Sequence, residues 1–233
     1  MPFYMDYWYV VLVIPAIIFA MIAQATVSGR FNRYSAIRTA RGLSGAQAAA
    51  EVLRAHGVSG VKIEPAAGKM TDHYDPRDNT IRLSQGVYDS VSVAAVGIAA
   101  HEAGHAVQYA QGYSPIKFRQ AIIPVTQIGS TLSLPLILIG LFLTSQLGDM
   151  LFLAGVLFFA LATVFQLLTL PVEFDASRRA MDTLGNLRVL DEEELRGAKQ
   201  VLGAAAMTYV AALAVSLAQL VRLLLIFGGR RRD

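Results

Sequence analysis

Four long apolar stretches constrain the fold of this 233-residue chain more than any other feature of its sequence. They cover approximately residues 8–27, 122–143, 151–172 and 204–227. A helix that crosses the hydrocarbon core of a bilayer needs about 20 apolar residues, so each stretch predicts a transmembrane helix. The apolar content of 55% supports this interpretation, because soluble domains contain about 45–50%. The second stretch also contains Pro124, Pro135 and several hydroxyl side chains. Because of this polar content, the alternative for the second stretch is a buried helix of a soluble domain.

The first stretch could also be a cleaved signal peptide. Residues 23–25, Ala-Gln-Ala, resemble the small-residue site at which such peptides are cut. However, residues 1–9 contain no Lys or Arg and include Asp6, whereas a signal peptide begins with a basic region. We therefore predict an uncleaved membrane anchor.

Basic residues flank the apolar stretches unevenly. They follow the first and third stretches and precede the second: Arg30, Arg33, Arg38, Arg41, Lys117, Arg119, Arg178 and Arg179. The N-terminus and the turn at residues 144–149 contain none. Because basic residues favour the cytoplasmic side, we expect the two polar segments in the cytoplasm and the turn outside. Four spans also put the arginines at residues 230–232 outside, in conflict with this rule.

The polar segment at residues 28–120 is long enough for a small domain. The elements that its pattern predicts are a helix from a capping box at Ser44 to His56, strands at residues 61–64 and 80–84, a turn at residues 73–79, and a helix from Ser92 to Gln111. We expect the strand at residues 80–84 to pair with an extended substrate.

The last of these helices carries the sequence His101-Glu102-Ala103-Gly104-His105. Residues four apart lie on one face of a helix, so the two imidazoles can bind one metal ion. Glu102 is rotated by about 100° and can activate a metal-bound water molecule. The chain has no cysteine, so a Zn²⁺ ion here requires histidine and carboxylate ligands. The alternative is a pair of core histidines that are satisfied by hydrogen bonds.

A catalytic zinc site needs a third protein ligand, and spacing alone leaves several candidates. Glu173 follows the third apolar stretch, and two membrane crossings return the chain to the side on which His105 lies. Asp72 and His73 form the competing site, and His56 is a further candidate. His73 could instead donate a hydrogen bond to the developing oxyanion of the substrate.

Several sequence blocks together resemble the YugP-like family of membrane zinc metallopeptidases. The blocks are residues 41–45, 72–77, 82–88, 101–108 and 170–179. More remotely, the chain is similar to the HtpX-type and CAAX prenyl membrane proteases, which are gluzincins. This resemblance implies that His101, His105 and Glu173 bind one zinc ion. The third-ligand motif of those proteins is Glu-aromatic-x-Ala-Asp, and their Asp supports a zinc histidine. Here Ser177 stands in place of that Asp and offers a weaker hydrogen bond.

We therefore expect a mainly α protein with four transmembrane helices and a small α+β, zincin-like catalytic domain at the membrane face. The predicted divisions are an anchor (1–27), the catalytic domain (28–120), a transmembrane hairpin (121–172), the third-ligand segment (173–203), and the last span with its basic tail (204–233).

The predicted function is zinc-dependent hydrolysis of protein or peptide substrates by a multi-pass protein of the plasma membrane. The resemblance to HtpX-type proteases implies a role in membrane-protein quality control. A net charge of +3 does not indicate nucleic acid, since the basic residues lie beside apolar stretches that a bilayer explains.

Two alternatives to this function remain. An intramembrane, site-2-like metalloprotease would carry a Leu-Asp-Gly motif, and the nearest match is Leu190-Asp191-Glu192. A membrane scaffold or chaperone with a structural metal would need a fourth ligand, for which His73 is the candidate.

Overall fold

The computed structural model describes residues 6–230. The helices in this part of the chain are α1 (Ile14–Ser35, preceded by a π-helical turn at Tyr9–Val13), α2 (Gly45–Ala55), α3 (Gln85–Tyr88), α4 (Val93–Ala110), α5 (Ser114–Phe142), α6 (Gln146–Asn186) and α7 (Glu192–Arg230). The strands are β1 (Lys62–Ala66), β2 (His73–Asp75) and β3 (Thr80–Ser84). A mainly α membrane protein with a small α+β domain is thereby confirmed.

Four of the described helices, α1, α5, α6 and α7, are long and apolar enough to cross a membrane. Only 22% of the most apolar 18-residue segment of α5 is buried. The alternative that this stretch is a buried helix of a soluble domain is therefore wrong. With 41 residues and a rise of about 1.5 Å per residue, α6 is roughly twice as long as the hydrocarbon core is thick. The apolar part of α6 is therefore long enough to span the bilayer, and its C-terminal part, from Pro171 onwards, extends beyond that span.

The described chain divides into two compact units. Residues 24–117 and 171–207 form the first, here called the polar unit, and the membrane unit contains residues 6–23, 118–170 and 208–230. The five divisions expected from the sequence stay a prediction.

A partly buried ion pair joins the segment before the first span to the last span within the membrane unit. Arg222 is 3% exposed, and its Nε and Nη2 donate to Oδ2 of Asp6 at 2.9 and 2.7 Å. Its guanidinium group also lies 5.1 Å from the ring centroid of Tyr9. The start of the first span therefore lies beside the end of the last, as four crossings require. The expected placement of the C-terminal arginines concerns residues 230–232, of which 231 and 232 lie outside the described residues.

A three-stranded sheet in the order β1-β3-β2 forms one side of the polar unit. β3 pairs in parallel with β1 and antiparallel with β2, and its Ile81 and Leu83 are fully buried. The expectation that residues 80–84 pair with a substrate is wrong, because β3 is hydrogen-bonded on both edges. The expectation of a turn over all of residues 73–79 is also wrong, since β3 provides a partner that draws residues 73–75 into a strand.

Helix α4 lies at the centre of the polar unit. The predicted capping box begins α2, with Gln47 N donating to Ser44 Oγ and Ser44 N donating to Gln47 Oε1. Most α4 residues are small and buried, and they pack against α2, the sheet and the C-terminal part of α6. The closest approach is at Gly104, where an added Cβ atom would lie 2.6 Å from the carbonyl oxygen of Ala176 in α6. Small side chains on α4 thus allow α6 to approach the histidine face.

Candidate metal centre

The two histidines of α4 face each other one helical turn apart. Nε2 of His105 lies 3.1 Å from Nε2 of His101, and the ring centroids are 4.7 Å apart. Their side chains are 10% and 14% exposed. The i,i+4 spacing on one helix is sufficient to produce this arrangement.

Glu173 brings a carboxylate to the same point from α6. Its Oε2 lies 3.3 Å from Nε2 of His101 and 3.5 Å from Nε2 of His105, and its side chain is 4% exposed. Among the described residues, these three form the one group of at least three His, Asp or Glu side chains whose ligand atoms all lie within 4.8 Å of one another. Glu173 reaches the histidines because the α6 backbone contacts α4 at Gly104.

The separations fit a zinc ion. Zinc binds imidazole nitrogen and carboxylate oxygen at about 2.0–2.1 Å, usually as a tetrahedron. Two ligands of such a tetrahedron lie about 3.3–3.4 Å apart. The three observed separations, 3.1, 3.3 and 3.5 Å, bracket this value. The donor set of two imidazoles and one carboxylate is also the set that catalytic zinc sites of the His₂Glu type use.

The outer nitrogen of each histidine has a polar partner. Nδ1 of His101 lies 2.9 Å from Oγ of Ser177, and Nδ1 of His105 lies 3.0 Å from Oε1 of Gln108. Both rings therefore direct Nε2 towards Glu173. Sequence reasoning missed Gln108, although a polar residue three positions after His105 on an otherwise apolar face is a recognisable signal.

Glu102 is buried beside the two histidines and Glu173, but its carboxylate makes a hydrogen bond to the sheet. It is 9% exposed, and its Oε2 accepts a hydrogen bond of 3.0 Å from the backbone N–H of Tyr74 in β2. This contact fixes the carboxylate between α4 and the sheet. Because successive helical residues point about 100° apart, Glu102 flanks the histidine pair and does not join it.

The other candidate ligands have different partners. His73 is exposed, and its Nδ1 donates to the carbonyl oxygen of Thr71 at 2.7 Å. Asp72 accepts from the backbone N–H of Ser84 at 2.7 Å. Nε2 of His56 lies 2.9 Å from the hydroxyl of Thr183. The structure does not bring any of the three into the metal-binding group.

The electrostatic environment favours positive charge at His105. Burial lowers the pKa of His105, but the hydrogen bond to Glu173 and the negative charges of Glu102 and Glu173 outweigh it and raise the pKa overall. The same carboxylates would also favour a divalent cation at Nε2, and protons would then compete with the cation for this nitrogen as the pH falls.

Two matches to known proteins cover nearly the whole chain. A family model described as "Putative neutral zinc metallopeptidase" matches residues 9–228, which include His101, His105 and Glu173. The chain is 39% identical over 219 residues to "Putative membrane protease YugP" of Bacillus subtilis (strain 168), and the match covers 94% of this chain and 96% of that relative. No solved structure matches the chain.

Proposed function

The chain belongs to the family described as "Putative neutral zinc metallopeptidase", and from this premise we propose that it is a membrane-integrated zinc endopeptidase. The observation that carries the proposal is the meeting of two Nε2 atoms and one carboxylate oxygen within 3.1–3.5 Å of one another. The substrates are proteins or peptides, and the site faces the cytoplasm at the plasma membrane. By analogy with HtpX-type proteases, we include membrane-protein quality control in this proposal.

In the proposed mechanism, His101, His105 and Glu173 would hold one zinc ion. A bound zinc ion would polarise the scissile carbonyl and acidify a water molecule to a pKa of about 7. Tyr74 N–H holds Oε2 of Glu102 in place, so Oε1 would be the oxygen that accepts a proton from the attacking water. The same carboxyl group then donates the proton to the amine nitrogen of the leaving peptide.

Two observations favour this function over an intramembrane protease. α4, which carries both histidines, is not one of the candidate spans among the described helices. Asp191, from the nearest match to a Leu-Asp-Gly motif, accepts 2.9 Å hydrogen bonds from the backbone N–H groups of Glu193 and Glu194 at the start of α7. Its carboxylate therefore caps a helix.

A structural metal is also less consistent with the ligand set. Structural zinc sites use four protein ligands, whereas catalytic sites use three and keep one position for water. The group formed by the described residues contains three, and the candidate for a fourth, His73, points its Nδ1 to Thr71.

The substitution Glu102→Gln tests the catalytic assignment. The full chain, purified in detergent, should contain one zinc ion per chain and cleave a destabilised membrane protein or an unfolded peptide. Glu102→Gln should retain the zinc and lose more than about 100-fold of the cleavage rate, since general acid–base catalysis contributes about 10²–10⁴-fold. Glu192→Gln is the matched control, because that side chain is 96% exposed at the start of α7. Equal cleavage by wild type and Glu102→Gln would contradict the proposal.

The orientation can be tested separately, because the chain contains no cysteine. Single cysteines at exposed Lys69 in the polar unit and exposed Ser145 in the turn between α5 and α6 provide two reporters. In intact cells, a membrane-impermeant thiol reagent should label Ser145→Cys and should label Lys69→Cys only after lysis. Labelling of Lys69→Cys in intact cells would place the site outside.

A further inference from the structure

Gln108 is fully buried in α4 and makes three hydrogen bonds. Its Oε1 lies 3.0 Å from Nδ1 of His105, and its Nε2 donates to the carbonyl oxygen of Val172 at 2.8 Å and to Oδ2 of Asp175 at 3.0 Å. We infer that Gln108 and Asp175 together fix the tautomer of His105 that binds zinc. This inference rests on the zinc site of the proposed function.

The orientation of the Gln108 amide follows from its neighbours. The groups on the side of Val172 and Asp175 are a carbonyl and a carboxylate oxygen, and both can only accept hydrogen bonds. The amide must turn its NH₂ group towards them, because the reverse orientation would place its oxygen against two acceptors. Its Oε1 is therefore directed at His105.

An amide oxygen accepts and cannot donate, so Nδ1 of His105 must carry the proton. In a neutral imidazole the other nitrogen, Nε2, is then unprotonated and has a free lone pair. That nitrogen is the one that faces His101 and Glu173. The buried amide thus prepares His105 as a neutral metal ligand.

Asp175 is held in place by two guanidinium groups. Arg178 donates to its Oδ1 and Arg179 to its Oδ2. Arg179 also donates to Gln111 at the C-terminal end of α4. The carboxylate is therefore fixed relative to both helices, and its position determines which way the amide of Gln108 turns.

The other histidine lacks such a fixed partner. Nδ1 of His101 contacts the hydroxyl of Ser177, and a hydroxyl can both accept and donate. Ser177 is compatible with either tautomer of His101, whereas Gln108 is compatible with only one neutral tautomer of His105. The two positions consequently have different tolerance to substitution.

The experiment measures zinc affinity by titrating the full-length, metal-free protein in detergent with zinc in competition with a chelator. Gln108→Met should weaken zinc binding about 10–100-fold, the range for loss of an outer-shell partner. Gln108→Glu should also weaken it, because the second carboxylate oxygen would face the acceptor oxygens of Asp175 and Val172. Gln85→Met is the matched control, since it makes the same substitution at an exposed position at the start of α3 in the polar unit.

A double substitution distinguishes orientation from simple packing. In Gln108→Glu/Asp175→Asn, the new amide can donate to the new carboxylate, which removes the repulsion between two carboxylates, while the carbonyl oxygen of Val172 still faces an acceptor. We expect this variant to recover part of the affinity that Gln108→Glu loses. The visible absorption of the cobalt-substituted protein should change in Gln108→Met and Gln108→Glu, and it should lie closer to that of wild type in the double variant than in Gln108→Glu.

The outcomes separate the inference from the proposed function. If Gln108→Met binds zinc within about twofold of wild type, or if the double variant is no better than Gln108→Glu, the inference is wrong while the zinc site stands. If Gln108→Met does not fold, the comparison of Gln108→Glu with the double variant decides. If wild type and His101→Ala bind zinc equally weakly, the proposed function itself fails.

Discussion

Replacing Gly104 with alanine should separate α4 from α6 at the metal centre. A Cβ atom at this position would lie 2.6 Å from the carbonyl oxygen of Ala176, whereas ordinary contact begins at 3.4 Å, a shortfall of about 0.8 Å. The obstructing atom is backbone, so it cannot move away by a change of rotamer. Glu173 and Ser177 flank Ala176 on α6, and both contact the histidines of α4.

The expected magnitude follows from two opposing effects. Overpacking typically costs about 1–3 kcal/mol, while alanine is favoured over glycine inside a helix by about 1 kcal/mol. Distances in a zinc site are tolerant to about 0.2 Å, so a displacement of Glu173 by several tenths of an ångström should weaken zinc binding at least about tenfold, or about 1.4 kcal/mol. Gly104→Ala should therefore lose zinc affinity even where it still folds.

Gly203→Ala is the matched control, because it is also a helical glycine and a Cβ atom there would meet nothing within 4 Å. Gly97→Ala is intermediate, since its Cβ atom would lie 3.2 Å from the methyl group of Ala198. Thermal unfolding and chelator competition should rank the variants Gly203→Ala, Gly97→Ala and Gly104→Ala from least to most perturbed. Unchanged zinc affinity in Gly104→Ala, with a melting temperature no lower than that of Gly203→Ala, would contradict this prediction.

Three further predictions concern other contacts. Ser177→Ala should weaken zinc binding up to about tenfold, and Ser177→Asp should strengthen it, because a carboxylate accepts from His101 more strongly than a hydroxyl does. Chelator competition measures both affinities, and equal affinities of the two variants would contradict this prediction. Burial and the charge of Arg179 lower the pKa of His56 in the folded protein. Below the ordinary pKa of about 6.5, the unfolded chain therefore binds more protons at His56 than the folded protein does. The free energy of unfolding should consequently decrease as the pH falls below about 6.5. Melting curves of wild type between pH 7.5 and 5.5 should show this loss, and His56→Gln should show less of it. Asp6→Ala should destabilise the protein by up to about 3–5 kcal/mol, because it removes a carboxylate partner of buried Arg222. Adding Arg222→Leu should recover part of the lost melting temperature. If the two substitutions instead lower the melting temperature additively, the ion pair does not contribute to stability.

The sequence was least informative about the sheet. Alternation of apolar and polar side chains located β3 correctly, because alternation is a local property of a strand. The position of β3 in the centre of the sheet depends on which segments pair with it. One of those segments is residues 73–75, whose composition is typical of a turn. Pairing with Ile81 and Arg82 outweighed the local preference of His73 and Tyr74.

The four candidate spans and the facing pair of His101 and His105 could be predicted directly from the sequence. Both follow from periodicity along a single helix, which needs no knowledge of distant residues. Spacing alone left several candidates for the third ligand, and the packing of α6 on α4 brings Glu173 to the histidines together with the side chains that orient them. Glu173, Asp175 and Ser177 lie two apolar stretches away in the chain, and they reach α4 because the backbone of α6 packs directly on Gly104. Spacing in the sequence carries no record of that contact, since it depends on how two helices pack.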